Sequence, residues 1–285
     1  MPRSPLDRAL ALQTRLLEET RLLVVPGAWD VSSARIFAAQ GAELLAISEE
    51  AIATTHGKPR LDEANEARFV ARVESITQAV ATPVCVDLGD GWGATAEALA
   101  VRVERILGSG AAAFQLGDAS GETGRPLVDP SLQVERIQAM RERAEQFGHP
   151  LNLHAWTHSL RVGGRPDDAI EAITRCVRYG VAGATTVGVS GVADHDTIRR
   201  LLVDLETPLG VLADPTVAQP TPPSTGELEE WGVRRVDVGP AILHATLGLV
   251  RRAGAEFLGR GSFEHLRGEF RLGDARKARD SAILD

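Results

Sequence analysis

Sulfur and aromatic side chains are scarce in this chain: two Cys, two Met and one Tyr in 285 residues, with aromatics at 4%. The two thiols, Cys85 and Cys176, are too few for a disulfide framework or a cysteine-rich metal centre, and they fit a reducing, cytoplasmic compartment as inert core groups. No apolar run is long enough to span a bilayer, and none follows the basic start as a secretory signal requires. Positive charge is in the minority, since 31 Lys and Arg face 39 Asp and Glu for a formal charge of -8. That balance argues against a broad nucleic-acid footprint and favours small-molecule partners. What remains is ordinary for a globular chain, with 44% hydrophobic residues and 28 Gly and 15 Pro to supply turns.

The hydrophobic pattern alternates between short apolar runs and amphipathic segments. After an N-terminal helix over 5–20, expected to cap one end of the body, strands are predicted at 21–26, 43–48, 84–88, 112–116, 151–155, 184–189, 210–213 and 235–238. A helical segment follows each strand, beginning behind Asp30 and ending with 241–258, and no linker divides the series. Eight strand-helix units without a GxGxxG after the first strand predict one (β/α)8 TIM-type barrel over about 21–258, with a charged tail at 259–285. Continuous apolar strands such as LLAI and LGVLA suit burial on both faces of a parallel sheet.

Active groups of such a barrel sit at the C-terminal ends of its strands. The candidates there are Trp29 and Asp30, Ser48 to Glu50, Asp87 to Trp92, Gly117 and Asp118, His154 to His158, Gly188 to Ser190, Asp214 and Gly239. The segment Val84 to Gly93, VCVDLGDGWG, carries the strongest signal: Asp87 and Asp90 stand among three glycines, a setting for a hard cation, a proton transfer or a plain surface turn. His154 and His158 are read as acid/base or anion-binding groups, or as hydrogen-bonded wall residues. Glu49 is read as a base beside Ser48, or as half of a solvated acidic pair with Glu50. Trp29, Trp92 and Trp156 suggest an apolar or ring-bearing ligand, against core packing as the rival reading.

Four segments together resemble the isocitrate lyase/phosphoenolpyruvate mutase superfamily: VVPGAWDVSSARIFAAQGAELLAISEEA, TPVCVDLGDGWGATAEALAVRVERILGSGAAAFQLGDAS, GRPLVDPSLQVERIQAMR, and TPLGVLADP with WGVRRVDVGPAILHA. They cover about 22–258 in order and spacing. The resemblance implies a (β/α)8 barrel whose last helix swaps onto a partner in a homodimer or homotetramer. It also implies Mg2+, an enolate-like intermediate, and making or breaking of a C–C or C–P bond in 2-oxo acids and related carboxylates. Asp87 matches the family's metal-binding aspartate and Asp118 a neighbouring acidic position, which makes both metal-ligand candidates. Gly89, Gly117 and Arg60 replace or displace other acidic members of the shell. Asn152 survives from the family's Asn-Ala-Arg-like run, with His154 standing for its arginine. The loop SGETGRPLVD lacks the catalytic cysteine of isocitrate-type lyases.

The resemblance implies a lyase that cleaves or forms a C–C bond next to a carbonyl. The catalytic candidates are Asp87, His154, His158 and Glu49, and the substrate-binding candidates Trp29, Ser48, Trp92, Asn152 and Trp156. The alternatives are a metal-independent biosynthetic enzyme on a larger hydrophobic substrate, and a catalytically silent ligand-binding barrel.

Overall fold

The computed structural model describes residues 4–58, 61, 65–122, 125–162, 168–191, 194–213 and 222–264. The chain opens with helix α1 (Pro5–Glu18) and strands β1 (Leu23–Val25) and β2 (Gly27–Ala28), then α2 (Val31–Ala39), β3 (Leu45–Ile47), α3 (Glu49–Thr55) and α4 (Glu66–Thr77). It continues through β4 (Val84–Asp87), α5 (Ala96–Gly108), β5 (Ala113–Gly117), the hairpin β6 (Ala119–Glu122) and β7 (Arg125–Leu127), α6 (Pro130–Gln146), β8 (Leu153–Thr157), α7 (Ser159–Val162) and α8 (Asp168–Ala182). The last units are β9 (Thr186–Val189), α9 (His195–Asp204), β10 (Leu209–Leu212), α10 (Thr225–Glu230), β11 (Arg235–Asp237) and α11 (Ala241–Gly259).

The main sheet runs β1-β11-β10-β9-β8-β5-β4-β3-β2, with every recorded pair parallel. β1 and β2 are one barrel strand interrupted at Pro26, which has no N–H for the ladder but whose carbonyl still accepts from Ala46 N at 2.9 Å. β1 pairs with β11 and β2 with β3, so the sheet closes on itself as a (β/α)8 barrel. The predicted strands and helices are all present, with ends moved by a few residues. The additions are α3, α7 and the β6/β7 hairpin, all inserted after strands at the end where a barrel keeps its variable loops.

Period-two alternation separates two cores. Val84 and Val86 face the helices, in a continuous layer with Leu99, Val103 and Ile106 of α5. Cys85 faces the barrel interior and joins Leu23, Val25, Leu44 and Ala113 there. Helix α1 contributes Ala9, Leu12 and Leu16 to this second cluster and so plugs the floor of the barrel. Its start is set by Pro5 and by a capping box, in which Ser4 Oγ accepts from Asp7 N at 3.1 Å and Asp7 reaches back to Ser4 N.

The floor corrects one expectation. Asn152 precedes β8 instead of ending it, and its amide Nδ2 donates to Ala9 O at 2.8 Å and Ala112 O at 3.0 Å. It ties α1 to the N-terminal rim of the strands, at the opposite end from the strand C-termini, and is not a substrate-binding residue. Of the tail expected over 259–285, the described part ends at Glu264, with Phe263 stacked on Phe257 at a centroid distance of 6.2 Å. Leu266, Phe270 and Leu272 lie outside the described residues, as do Arg60 and Asp214.

Candidate active site

A cavity of about 210 Å³ opens at the C-terminal ends of the strands. Ser48, Glu49 and Glu50 reach it from the β3 end, Asp87 and Asp90 from β4, Trp156, His158 and Arg161 from β8, and Asp237 from β11. Local sequence explains each placement. Ser48 caps α3, its Oγ accepting from Ala51 N at 3.3 Å, which sets the two glutamates in the first turn of that helix. The loop after β4 coils through positive φ at Gly89 (56°), Gly91 (77°) and even Trp92 (57°), so the glycines are there for backbone reasons. Asp87 Oδ1 accepts from Gly89 N at 2.9 Å, an Asx-type turn that fixes the carboxylate at the end of its strand.

Asp87 is under electrostatic pressure. Burial pushes its carboxyl up to about 7, the Gly89 N–H opposes that, and the neighbouring Glu49, Asp237 and Glu50 add to the rise. Glu49 is itself held at the wall, its Oε1 accepting from Leu61 N at 2.5 Å.

Along the bottom of the cavity runs a polar chain that no sequence motif marks. Trp156 Nε1 donates to Gln115 Oε1 at 2.9 Å, Gln115 Nε2 donates to Asp237 Oδ1 at 2.5 Å, and Asp237 is clasped by Arg235 at 2.6 and 2.9 Å. Arg235 is 1% exposed and paired with Asp237; burial works against its charge, but the carboxylate outweighs it and raises the pKa. The available signal was the spacing Arg235, Asp237 in a strand whose alternate residues, Val236 and Val238, are apolar.

The histidines separate. His158 lies at the cavity wall with Nδ1 2.7 Å from Ser190 Oγ, and its backbone N donates to Asp118 Oδ1 at 2.9 Å. Burial lowers its pKa, partly opposed by Asp118 and reinforced by Arg161, so the neutral ring is favoured. His154 corrects its prediction: it is one inward position deeper on β8, 1% exposed, with Nδ1 2.6 Å from Thr186 Oγ1 and its ring edge-on to Trp156 at 4.3 Å. It does not line the cavity. Gly188 and Gly210 clear the space it fills, since a Cβ at either would come within 2.3 or 2.6 Å of the imidazole. Burial holds its pKa well below the usual range, so it stays neutral.

Asp118 also corrects its reading as a metal ligand. It is 0% exposed; Oδ2 takes Arg175 Nη1 at 3.1 Å and Tyr179 OH at 2.9 Å, and Oδ1 takes the His158 N–H. Its oxygens are committed to holding α8 and the His158 turn. Two tryptophans move to packing roles as well. Trp92 sits edge-on to Phe69 at 5.4 Å, with the Arg102 guanidinium 4.3 Å over its ring, and Trp29 packs against the outer core. Only Trp156 of the three lines the cavity, so the tryptophans do not form the ring-binding cluster expected of them.

Cys85 and Cys176 are buried, and burial pushes both thiols up to about 12. No helix among the described residues is long and apolar enough to cross a membrane.

A parallel eight-strand barrel with a carboxylate-rich cavity at the strand C-termini defines a TIM-barrel enzyme site of the kind that handles small polar substrates. Residues 12–258 match the family described as phosphoenolpyruvate phosphomutase, and the chain belongs to that family, within the isocitrate lyase/phosphoenolpyruvate mutase superfamily of lyases and mutases. The 2-methylisocitrate lyase of Halalkalibacterium halodurans is 25% identical over 230 residues, spanning 78% of this chain and 73% of its own. An uncharacterized protein of Mycobacterium tuberculosis is 29% identical over 224 residues, spanning 79% of this chain and 80% of its own. The crystal structure of a 2,3-dimethylmalate lyase superimposes with a TM-score of 0.82 at 26% identity, covering 97% of this chain and 96% of that one.

Proposed function

We propose that the protein is a lyase that breaks or forms a C–C bond next to a carbonyl in a 2-oxo acid or related carboxylate, through an enolate-like intermediate. The observation that carries this reading is the pairing, in one small cavity, of Asp87 amid like charges with a neutral His158 steadied by Ser190. The lyase names of the relatives support it.

In the cleavage direction, His158 accepts the proton of a substrate hydroxyl as that oxygen becomes a carbonyl. The adjacent C–C bond breaks, and its electron pair passes to the departing fragment as an enolate, which takes up a proton at carbon. His158 suits the first transfer because its ring is neutral and Ser190 can follow the change of tautomer. Glu49 faces the same space as a second proton carrier, and Ser48 and Trp156 shape the substrate's seat.

The Mg2+ expected from the family has a limited fit. Among the described residues no three His, Cys, Asp or Glu side chains converge to enclose an ion. Mg2+ nevertheless keeps several waters and commonly takes only one or two protein carboxylates. Asp87 supplies one, and the repulsion from Glu49, Asp237 and Glu50 that raises its pKa is what a cation beside it would relieve. We therefore assign Asp87 as the residue that would hold the ion, with Glu49 and Glu50 lining the same cavity. Bound there, the metal would stabilise negative charge developing on the substrate oxygen.

A second, metal-independent reading draws on the same carboxyl. With a pKa near 7, Asp87 is itself able to act as a general acid at neutral pH. Incubation with 2-oxo acids in D2O, followed by NMR for exchange of the hydrogens next to the carbonyl, tests both readings. Exchange abolished by EDTA and restored by Mg2+ supports the first, EDTA-insensitive exchange supports the second, and no exchange with any 2-oxo acid counts against the enolate chemistry.

We also infer a homodimer or homotetramer in which α11 packs on a partner's barrel. Ile242, Leu247, Val250, Phe257 and Leu258 of this helix are 40–84% exposed, and α11 makes only marginal contact with the other described elements of its own barrel.

A further inference from the structure

We propose that Arg161 anchors a single carboxylate and that the substrate is a 2-oxo monocarboxylate with an uncharged remainder, a specificity that rests on the lyase reading above. The charges around the cavity are lopsided. Glu49, Glu50, Asp87 and Asp90 occupy the β3 and β4 side. On the β8 side stand His158 and Arg161, and the lining acid Asp237 is already neutralised by Arg235 beneath it.

Arg161 lies on α7, three residues after His158, and its exposed guanidinium makes no hydrogen bond or ion pair with any described residue. Among the described residues, two other arginines near the barrel mouth are committed: Arg175 to Asp118 and Glu171, and Arg136 to the Asp90 and Ala94 carbonyls. A guanidinium in this position offers two parallel N–H groups to one carboxylate, the geometry in which arginine binds best. The neutral tendency of His158 leaves Arg161 as the one fixed positive charge among the described lining residues.

A second carboxylate on the substrate would have to lie away from Arg161, and that space is faced by the four acids. A divalent ion held by Asp87 would offset only part of this charge. The rest of the ligand meets Trp156, Leu212 and the small residues Ala46 and Gly27, surfaces that suit carbon rather than charge. Discrimination then comes both from attraction at Arg161 and from repulsion by Glu49 and Glu50.

Calorimetric titration of the full chain in MgCl2 with 2-oxoisovalerate and with 2-oxoglutarate tests the proposal. The monoanion is expected to bind at least about tenfold tighter than the dianion. Arg161→Ala should weaken the monoanion by about tenfold or more with an unchanged melting temperature, Arg161→Lys should recover part of the loss, and Glu50→Gln should narrow the gap to the dianion. Equal or tighter binding of 2-oxoglutarate, wild-type affinity in Arg161→Ala, or binding of neither acid overturns it. Hydrogen exchange in D2O without this binding contrast would refute the inference and leave the lyase reading standing, whereas contrast without exchange would refute the lyase reading and reduce the inference to a monocarboxylate-binding site, so the two failures are distinguishable.

Discussion

His158 Nδ1 lies 2.7 Å from the Ser190 hydroxyl, which leaves Nε2, beside Gly117, as the ring nitrogen turned to the cavity. Removing the partner should disturb the tautomer without emptying the site. Ser190→Ala is expected to lower kcat by about tenfold with little change in KM, and His158→Gln by about 100-fold or more, measured as hydrogen-exchange rates under saturating 2-oxo acid. Equal KM and kcat losses in Ser190→Ala would assign the serine to binding instead.

Asp87→Asn is expected to cost at least about 100-fold in turnover, and it carries a pH signature in stability. The folded carboxyl titrates near 7, above its ordinary 3.8, so between those pH values the native state holds a proton that the unfolded chain has released. Stability contributed by this site is therefore full below about pH 4 and is lost as pH rises through 7. In EDTA, Asp87→Asn should raise the melting temperature relative to wild type by at least about 2 °C at pH 8 and by less at pH 5. Mg2+ should stabilise wild type at pH 8 and leave the variant unmoved.

The Asp118 carboxylate is an anchor, and its loss should appear in stability before it appears in metal binding. Asp118 is 0% and Arg175 7% exposed in the pair, so Asp118→Asn removes the buried counter-charge of the guanidinium and leaves it only the partly exposed Glu171. A cost of about 3–5 kcal/mol in urea unfolding is expected. Mg2+ affinity of the folded fraction should stay within about twofold of wild type, and a larger drop would return Asp118 to the metal shell.

On α11, Val250 is 61% and Leu258 84% exposed. If these side chains meet a partner, Val250→Arg and Leu258→Arg should shift the protein to monomer in light scattering behind size-exclusion chromatography. An unchanged mass would refute the swapped arrangement.

The barrel was legible because its physics is local: each strand is a short apolar run and most of the described helices carry a side-chain cap, as Asp30 does for α2 with Ser33 N at 2.7 Å. The site was only half legible. Asp87, Glu49, Ser48, Trp156 and His158 share one cavity because each ends or follows a strand. His154 and Asn152 were misplaced by position along β8: an inward-facing residue two places before Trp156 is a layer deeper, and one before the strand's start is at the floor. Asp118 looked like a ligand since sequence shows a carboxylate but not that Arg175, 57 positions away, has claimed it. Arg161 leaves no mark in the sequence because α7 is four residues long and carries no periodic signal.

Helix α1 stoppers the barrel at the end away from the catalytic groups, with Leu12 and Leu16 driven into the interior. Whatever enters must therefore leave by the same doorway. For a reaction that splits one molecule into two, this imposes an order of departure: the fragment nearer the rim goes first, and in the reverse direction the deeper one must be seated before its companion arrives.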